Sequence, residues 1–582
     1  MGDRSTYFLH NKPVQLVNIE ALNALVNEDP AIRDNMISRQ KFLLDSELYE
    51  QGLAHLRRTA DGCPHTTVRE SFIDELVTTG HITEIPRRCV KGWVHYFTVP
   101  EDFKTRFRSI REPRDINNVF DKSTLINIEF PKKHEIANLV LDGSHAAAFD
   151  FAAYYDQFAY SNGVSEYFCF RKGNKYYRQN RLVMGQRQGC DIAQTTTLFL
   201  LNFKERRCKA FAYIDNVIFV GNEQDVLHDS RIFLRRCQDA NVTVNETQDI
   251  NNKGLQSMVT TSLEWCGLSL DFSAKTVKLI DKTVKKTVLS WKNRNNWTYR
   301  QFAAHIGLLF WSWGIIDIPV CNFYSLLKFI SHVSKLMQQD ESLWDTPCNF
   351  HLSALPAMEK WTELCLANEP RRVKRSSAPA WLVCTDASAW GWGYRAFNYT
   401  TGEIRKFGAK WSDDDKRNLF SIKDGHKRSV YAEPRAVHHS LLHLFNANEP
   451  SSSISFIDAA KDMLPPGAAE DERVKICIAT DNSATQHTFN TGFASRSFDI
   501  NRTIKDIKDR FPDSHFDIDV FFVPGKFNPA DKPSRGLKDN VNAMTGQNVD
   551  NNNLRHMAGF GLPKSNRKFG GNIFLPLNSL CS

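Results

Sequence analysis

Six acids stand where an ordinary soluble fold would not place them. Asp150 lies in the apolar run HAAAFDFAAYYDQF, and Asp215 lies in AYIDNVIFVG, between Tyr, Ile, Val and Phe. An unpaired carboxylate buried in such surroundings costs several kcal/mol and would rather be protonated. Two of them on neighbouring strands would also repel. A divalent cation removes both problems, because Mg2+ takes hard oxygen ligands from one or two carboxylates and from substrate phosphates. Two such ions about 3.5–4 Å apart can activate a hydroxyl and stabilise a leaving pyrophosphate. On these two stretches alone the alternative stays open, that both acids sit at strand ends and face water. The other four are Asp386 in WLVCTDASAWGWGY, Glu433 in YAEPRAVHHSLLHLF, Asp481 in KICIATDNSATQHTF and Asp531 in FDIDVFFVPGKFNPADKPSRG. Acids at the ends of four different elements share a purpose only if they converge on metal.

The elements that must position these acids follow from periodicity. AYIDNVIFVG has strand composition with a carboxylate in its middle. WLVCTDASAWGWGY reads as a strand bearing Asp386, then a Gly-rich hairpin into a second strand. YAEPRAVHHSLLHLF reads as a helix with Glu433 in its first turn and Val437, Leu441 and Leu442 on its buried side. KICIATD is a strand ending at Asp481, with a helix start after it. FDIDVFF is a strand, followed by a turn and Asp531. Thr385, Ser388, Asn482 and Ser483 flank these acids as supports for ligands or as caps.

The chain has 582 residues, 42% hydrophobic and 24% charged, which implies several ordinary globular domains. A net charge of +8 gives a mild bias toward polyanions. The 13 cysteines include no C-x-x-C pair, which argues against a zinc ribbon and for reduced, mostly buried thiols inside a cell. No signal peptide opens the chain, and MGDRST matches a myristoylation motif only weakly. The most apolar stretch, IGLLFWSWGII, is too short to span a bilayer and reads as a core helix, so no membrane partner is expected. Residues 1–70 read as a mixed N-terminal extension. Helix and strand patterns alternate through 71–272, and residues 273–365 are Lys-rich with helical period. NEPRRVKRSSAPA, within 366–379, has linker composition. A second compact unit covers 380–536, with EPSSSISFIDAAKDMLPPGAAEDER as an inserted surface loop. The Asn- and Gly-rich tail is 537–582. Trp291, Trp297 and Trp311 are expected in a core rather than as base-stacking platforms.

FRSIREPRDIN, FDFAAYYDQF, NRLVMGQRQGCDIAQ, AYIDN and EWCGLSLDF occur in the order of the fingers and palm motifs of reverse transcriptases, and the similarity spans about 72–272. The resemblance implies a right-hand polymerase of fingers, palm and thumb, with the Lys-rich segment as a thumb that follows a duplex backbone. It implies that Asp150 and Asp215 hold the metals and that Tyr155 is the aromatic gate excluding a 2′-hydroxyl. Arg108 and Arg114, and more loosely Lys104 and Arg106, would meet the triphosphate or template. Gly185 and Gln186 would pack on the nascent base pair. The family's second Asp is replaced by Asn216, which keeps a carbonyl oxygen and loses the charge. Weaker metal binding or a preference for Mn2+ would follow.

The later acids, in the order Asp, Glu, Asp, Asp, resemble ribonuclease H over about 380–536. Asp386, Glu433, Asp481 and Asp531 would then hold two Mg2+ ions, one activating water and one stabilising the leaving 3′-oxygen of RNA. The short loop PGKFNPAD lacks the His that cellular members carry, as in retroelement versions, and offers Lys526 as a substitute. The fold class implied is α+β and α/β multidomain, a polymerase hand followed by a ribonuclease H-like mixed-sheet domain. The partners implied are an RNA template, a DNA primer, the RNA–DNA hybrid and dNTPs. The end PGKFNPADKPSR is similar to retrotransposon polyproteins. MGQRQGCDIAQ and the WCGLSLDF-to-HIGLLFW region look most like DIRS-type tyrosine-recombinase elements, VIPER-like ones included. No protease, integrase or zinc-knuckle signature is visible, so other retroelement-encoded proteins would supply those activities. Two other readings remain: a polymerase impaired by Asn216 with the nuclease retained, and a non-enzymatic RNA-binding scaffold. The scaffold would have lost acids from both sites, and here six remain.

Overall fold

The computed structural model describes residues 4–50, 65–101, 104–120, 128, 130–420, 425–445, 463–469, 472–494 and 497–536. The tail 537–582 and most of the proposed surface loop lie outside these. The chain forms two compact units, the first reaching Val277 and the second starting at Lys278.

The first unit holds three small sheets. In the first, β1 (Phe8–Leu9) pairs in parallel with β4 (Arg106–Glu112), which pairs antiparallel with β3 (His95–Glu101). In the second, β2 (Ile82–Ile85), β6 (Cys169–Lys172) and β7 (Lys175–Gln179) are ordered β2-β7-β6. The third has β5 (His145–Asp150), β8 (Lys209–Tyr213) and β9 (Asn216–Gly221) in the antiparallel order β5-β9-β8. A hairpin of β10 (Ser262–Trp265) and β11 (Leu268–Asp271) follows. The helix Glu223–Asp239 starts at an Asn222 cap and packs Phe233 against Phe149 and Phe219. The helix Gly189–Leu201 is buried nearly all round, its polar Asp191, Gln194 and Thr195–Thr197 included, and each of the three threonine hydroxyls donates to a carbonyl one turn back. The described part of the expected N-terminal extension is not set apart, because Leu9, Leu22, Met36, Leu43 and Tyr49 belong to the same core as Phe149 and Phe219.

AYIDNVIFVG is not one strand. It is a hairpin in which Tyr213 pairs with Asn216 and the turn is Ile214–Asp215. Ile214 has φ +57°, unusual for a β-branched residue. The turn is held from the buried helix: the Ile214 N–H donates to Gln194 Oε1 at 2.6 Å, and the Thr197 hydroxyl donates to the Ile214 carbonyl at 2.6 Å. The apolar flanks are the two strands, and the acid stands at their tip.

The second unit begins within β12 (Thr276–Leu279). The helices Asp281–Lys292, Tyr299–Trp313, Tyr324–Gln339 and Ala354–Ala367 follow, as the Lys-rich helical pattern predicts. Trp297 is buried in their core, Trp291 packs against it and stacks on His305, and Trp311 is half-buried. The expected linker is packed instead. Asn368 hydrogen-bonds both backbone groups of Leu279, and Arg371, in β13 (Arg371–Arg372), donates to the Ile315 carbonyl at 2.7 Å. Its Pro, Ser and basic composition conceals these backbone contacts, and the next strand already starts at Ser376.

That strand, β14 (Ser376–Ala387), is central to a mixed sheet with β15 (Gly391–Asn398), β16 (Ile404–Lys410), β17 (Arg473–Thr480) and β18 (Phe516–Phe522), ordered β16-β15-β14-β17-β18. The pairs β14–β15 and β15–β16 are antiparallel, and β14–β17 and β17–β18 are parallel. The helix Gly425–Leu444 lies against β14 with Val437, Leu441 and Leu442 buried. It starts earlier than expected, so Glu433 is in its middle and not in its first turn. Pro434 is therefore an interior proline, lacking the N–H that would bond four residues back. Among the described residues no helix is long and apolar enough to cross a membrane.

Candidate active sites

In the second unit, parallel β14 and β17 bring Asp386 and Asp481 to one end of the sheet, and the helix Gly425–Leu444 delivers Glu433 to the same point. One carboxylate oxygen from each of the three lies within 4.8 Å of the others, the one such cluster of three or more potential ligands among the described residues. Glu433 Oε1 accepts the Ala387 N–H at 3.2 Å, while Oε2 is buried with no hydrogen-bond partner. Burial, then Asp386 and Asp481, push the Glu433 carboxyl well above its usual range. Burial raises Asp386 to about 6, with Asp481 and Asp531 adding to the rise and Ser534 opposing it. Burial raises Asp481 as well. Three hard carboxylates crowded together, one with an unsatisfied buried oxygen, fit a divalent cation such as Mg2+.

The fourth expected acid stands slightly apart. Asp531 opens the short helix Asp531–Ser534 and accepts two hydrogen bonds from Arg535, at 2.7 and 2.9 Å. Two residues that the motifs do not announce brace the cluster: the Ser534 hydroxyl donates to Asp386 Oδ2, and Asn528 donates to the Thr385 carbonyl at 2.9 Å while also bonding Asp481. The PSR and FNP stretches carry them, but nothing in the spacing says which polar side chain turns inward. Asn482 caps the helix Ser483–Thr491, and Ser388 bonds the Ser534 carbonyl, so these two support backbone. Lys526 lies over the half-exposed Phe527 ring at 4.8 Å.

In the first unit Asp150 ends β5, opposite Asn216 in register, and the Phe151 N–H donates to the Asp215 carbonyl at 2.9 Å. Burial, then Asp215, raise the Asp150 carboxyl to about 6, and Asn245 opposes the rise. Burial also raises Asp215. The Asn216 amide donates to Asp215 Oδ1 at 3.0 Å, and the Asn245 amide to Asp150 Oδ2 at 2.6 Å. A third acid, Glu246, accepts the Asp150 N–H at 3.1 Å. Asn245 and Glu246 lie beyond the helix Glu223–Asp239, and nothing local in NVTVNETQD announces them. The pair of hard carboxylates with amide support fits a divalent cation.

Tyr155 packs its ring beside Gly189, where a Cβ would come within 3.1 Å, and its hydroxyl lies 3.3 Å from Cys190 Sγ. Gly185 has φ +104°, a conformation suited to glycine, in the turn before the buried helix. The Gln186 side chain is turned inward, its amide donating to the Tyr49 hydroxyl and its carbonyl accepting from Tyr160, so only its backbone is left to shape the loop surface. Arg108 pairs with Glu101 at 3.0 Å and the exposed Arg114 with Glu112 at 2.8 Å. Arg106 also pairs with Glu101, and Lys104 is exposed.

No protein-family model and no curated protein matches the chain. Among solved structures it is similar to the foamy viral protease-reverse transcriptase dRH in complex with double-stranded DNA, at 12% identity and a TM-score of 0.41, covering 88% of this chain and 83% of that one. It is similar to the foamy viral protease-reverse transcriptase in complex with double-stranded DNA at 13% and 0.40, covering 86% and 98%. For that protein in complex with an RNA/DNA hybrid the values are 11% and 0.42, covering 91% and 66%.

Proposed function

We propose that the chain is an RNA-directed DNA polymerase with ribonuclease H activity, from a retroelement of the DIRS type. The observation that carries the nuclease half is the cluster of Asp386, Glu433 and Asp481, in which one buried Glu433 oxygen has no hydrogen-bond partner. The ordered palm motifs, with Asp150 and Asp215 at a strand end and a facing hairpin tip, support the polymerase half. Bound Mg2+ or Mn2+, two ions per site, would supply Lewis-acid stabilisation of the attacking and leaving oxygens. Asp150 and Asp215 would hold the ions for DNA synthesis, with Tyr155 shaping the sugar pocket and Gly185 and Gln186 backing the base pair. Arg108 and Arg114 would exchange their glutamate partners for nucleotide or template phosphates, a charge-assisted contact. Asp386, Glu433, Asp481 and Asp531 would hold the ions for RNA cleavage, with Asp531 leaving Arg535. The hybrid would be read by its A-form shape and backbone.

The amide of Asn216 keeps a hydrogen bond on Asp215, which favours a working polymerase over an impaired one. Primer extension on poly(rA) with oligo(dT), beside cleavage of a labelled RNA–DNA hybrid, tests the reading in Mg2+ and in Mn2+. Both products are expected, and a chelator abolishes both. Extension absent from the natural protein but present in Asn216→Asp would show an Asn-disabled polymerase. Neither product in any metal, from natural protein or variant, would overturn the proposal.

A further inference from the structure

The hairpin tip of the first-unit site carries Asp215 followed by Asn216, and both aspartates of the site are gripped. Asn216 donates to Asp215 Oδ1, and Asn245 donates to Asp150 Oδ2. The second amide is itself oriented. Lys12 donates its ammonium to Asn245 Oδ1, which fixes which end of the amide faces the carboxylate. The segment bearing Lys12 is tied down on both sides: the His10 N–H donates to the Phe107 carbonyl at 2.7 Å and the Val17 N–H to the Gln157 carbonyl at 2.9 Å. Between them the Gln15 N–H reaches Thr243 Oγ1 at 3.4 Å. The residue Asp150 is held in the same frame, its carbonyl accepting the Asn245 N–H at 2.8 Å and its N–H bonding Glu246.

The geometry points to Lys12, Asn245 and Asn216 as positioning residues that fix Asp150 and Asp215 for a divalent cation. This rests on the polymerase reading above. The physical logic is that an amide donor fixes a carboxylate oxygen without adding a negative charge, whereas an acid at position 216 would add a like charge beside Asp215. Lys12 extends the arrangement to the N-terminal segment, which then becomes part of the site and not merely of the core.

The test uses the full chain carrying Asp481→Asn, so that the second-unit cluster does not obscure the readout. Mn2+ binding is followed by paramagnetic resonance, and extension is followed as a function of Mg2+ and of dTTP. Asn245→Ala and Lys12→Ala are expected to weaken Mn2+ binding about 10-fold, as loss of a ligand's support does elsewhere. They are expected to raise the half-saturating Mg2+ by a similar factor and leave the KM for dTTP within about twofold on the same reasoning. Lys12→Arg, which keeps a charged donor, should restore binding, and unchanged thermal melting excludes misfolding. Mn2+ affinity unchanged in both alanine variants, or no Mn2+ bound that Asp150→Asn removes, would overturn the inference. If the natural protein extends no primer, the polymerase reading fails while the Mn2+ arm still decides the positioning roles.

Discussion

At the scale of single residues, the Asp386 carboxyl shows how the second site is set up. Its pKa of about 6, against an ordinary 3.8, means that folding disfavours its charge. Between roughly pH 4 and 6 the native state then binds more protons than the unfolded chain, so metal-free stability rises as pH falls through this window. A rise of that size corresponds to about 3 kcal/mol at most. In chelator at pH 7.5, Asp386→Asn is expected to be more stable than the natural protein by up to about that amount. The gap should close by pH 4, and saturating Mg2+ should reverse it, since the variant loses a ligand. Denaturant melts at the two pH values check this; a variant less stable than the natural protein at pH 7.5 without metal would show that Asp386 is not a strained charge.

At the scale of elements, two glycines seat the last acidic segment on the mixed sheet. A Cβ on Gly408 in β16 would lie 2.0 Å from the Pro533 carbonyl oxygen, and one on Gly393 in β15 would lie 2.5 Å from the Ser534 nitrogen. Both contacts are with backbone, so neither can be relieved by a side chain swinging away. Gly408→Ala should push the helix Asp531–Ser534 off the sheet, carrying the Ser534 hydroxyl from Asp386, at a cost of about 1–3 kcal/mol. Hybrid cleavage should fall at least tenfold while primer extension continues; an unchanged cleavage rate would mean that the seat is dispensable. The glycines are visible in WGWGY and RKFGAK, but their partner lies more than a hundred residues away, and no local pattern reveals that. The same division runs through the whole chain. Period-2 and period-3.6 patterns place β14, β17, β18 and the helix faces of Val437 and Leu441 correctly, because local burial dictates them. The split of AYIDNVIFVG into a hairpin is hidden because its turn is stabilised by Gln194 and Thr197 on a distant helix. The braces Asn245, Asn528 and Ser534 are hidden for a similar reason, being ordinary polar residues that only tertiary contact makes special.

At the scale of the whole molecule, the chain carries two acid sets on two units, Asp150 and Asp215 before Val277 and Asp386, Glu433 and Asp481 after Lys278. Each set draws its braces from its own unit, Asn216 and Asn245 for the first, Asn528 and Ser534 for the second. Removing one acid should therefore silence one chemistry alone. Asp215→Asn is expected to lower primer extension by about 100-fold or more while cleavage of a preformed hybrid stays within about twofold, an order set by loss of a group acting in the transition state. Asp481→Asn is expected to do the converse. On an RNA template with a DNA primer, the first variant should yield neither DNA nor degraded template, since no hybrid is made for the nuclease to cut. The second should yield full-length DNA still annealed to intact RNA. A gel resolving both labelled strands distinguishes these cases. Loss of both activities from either single change would mean that the two acid sets serve one reaction, and the assignment of separate chemistries to the two units would fall.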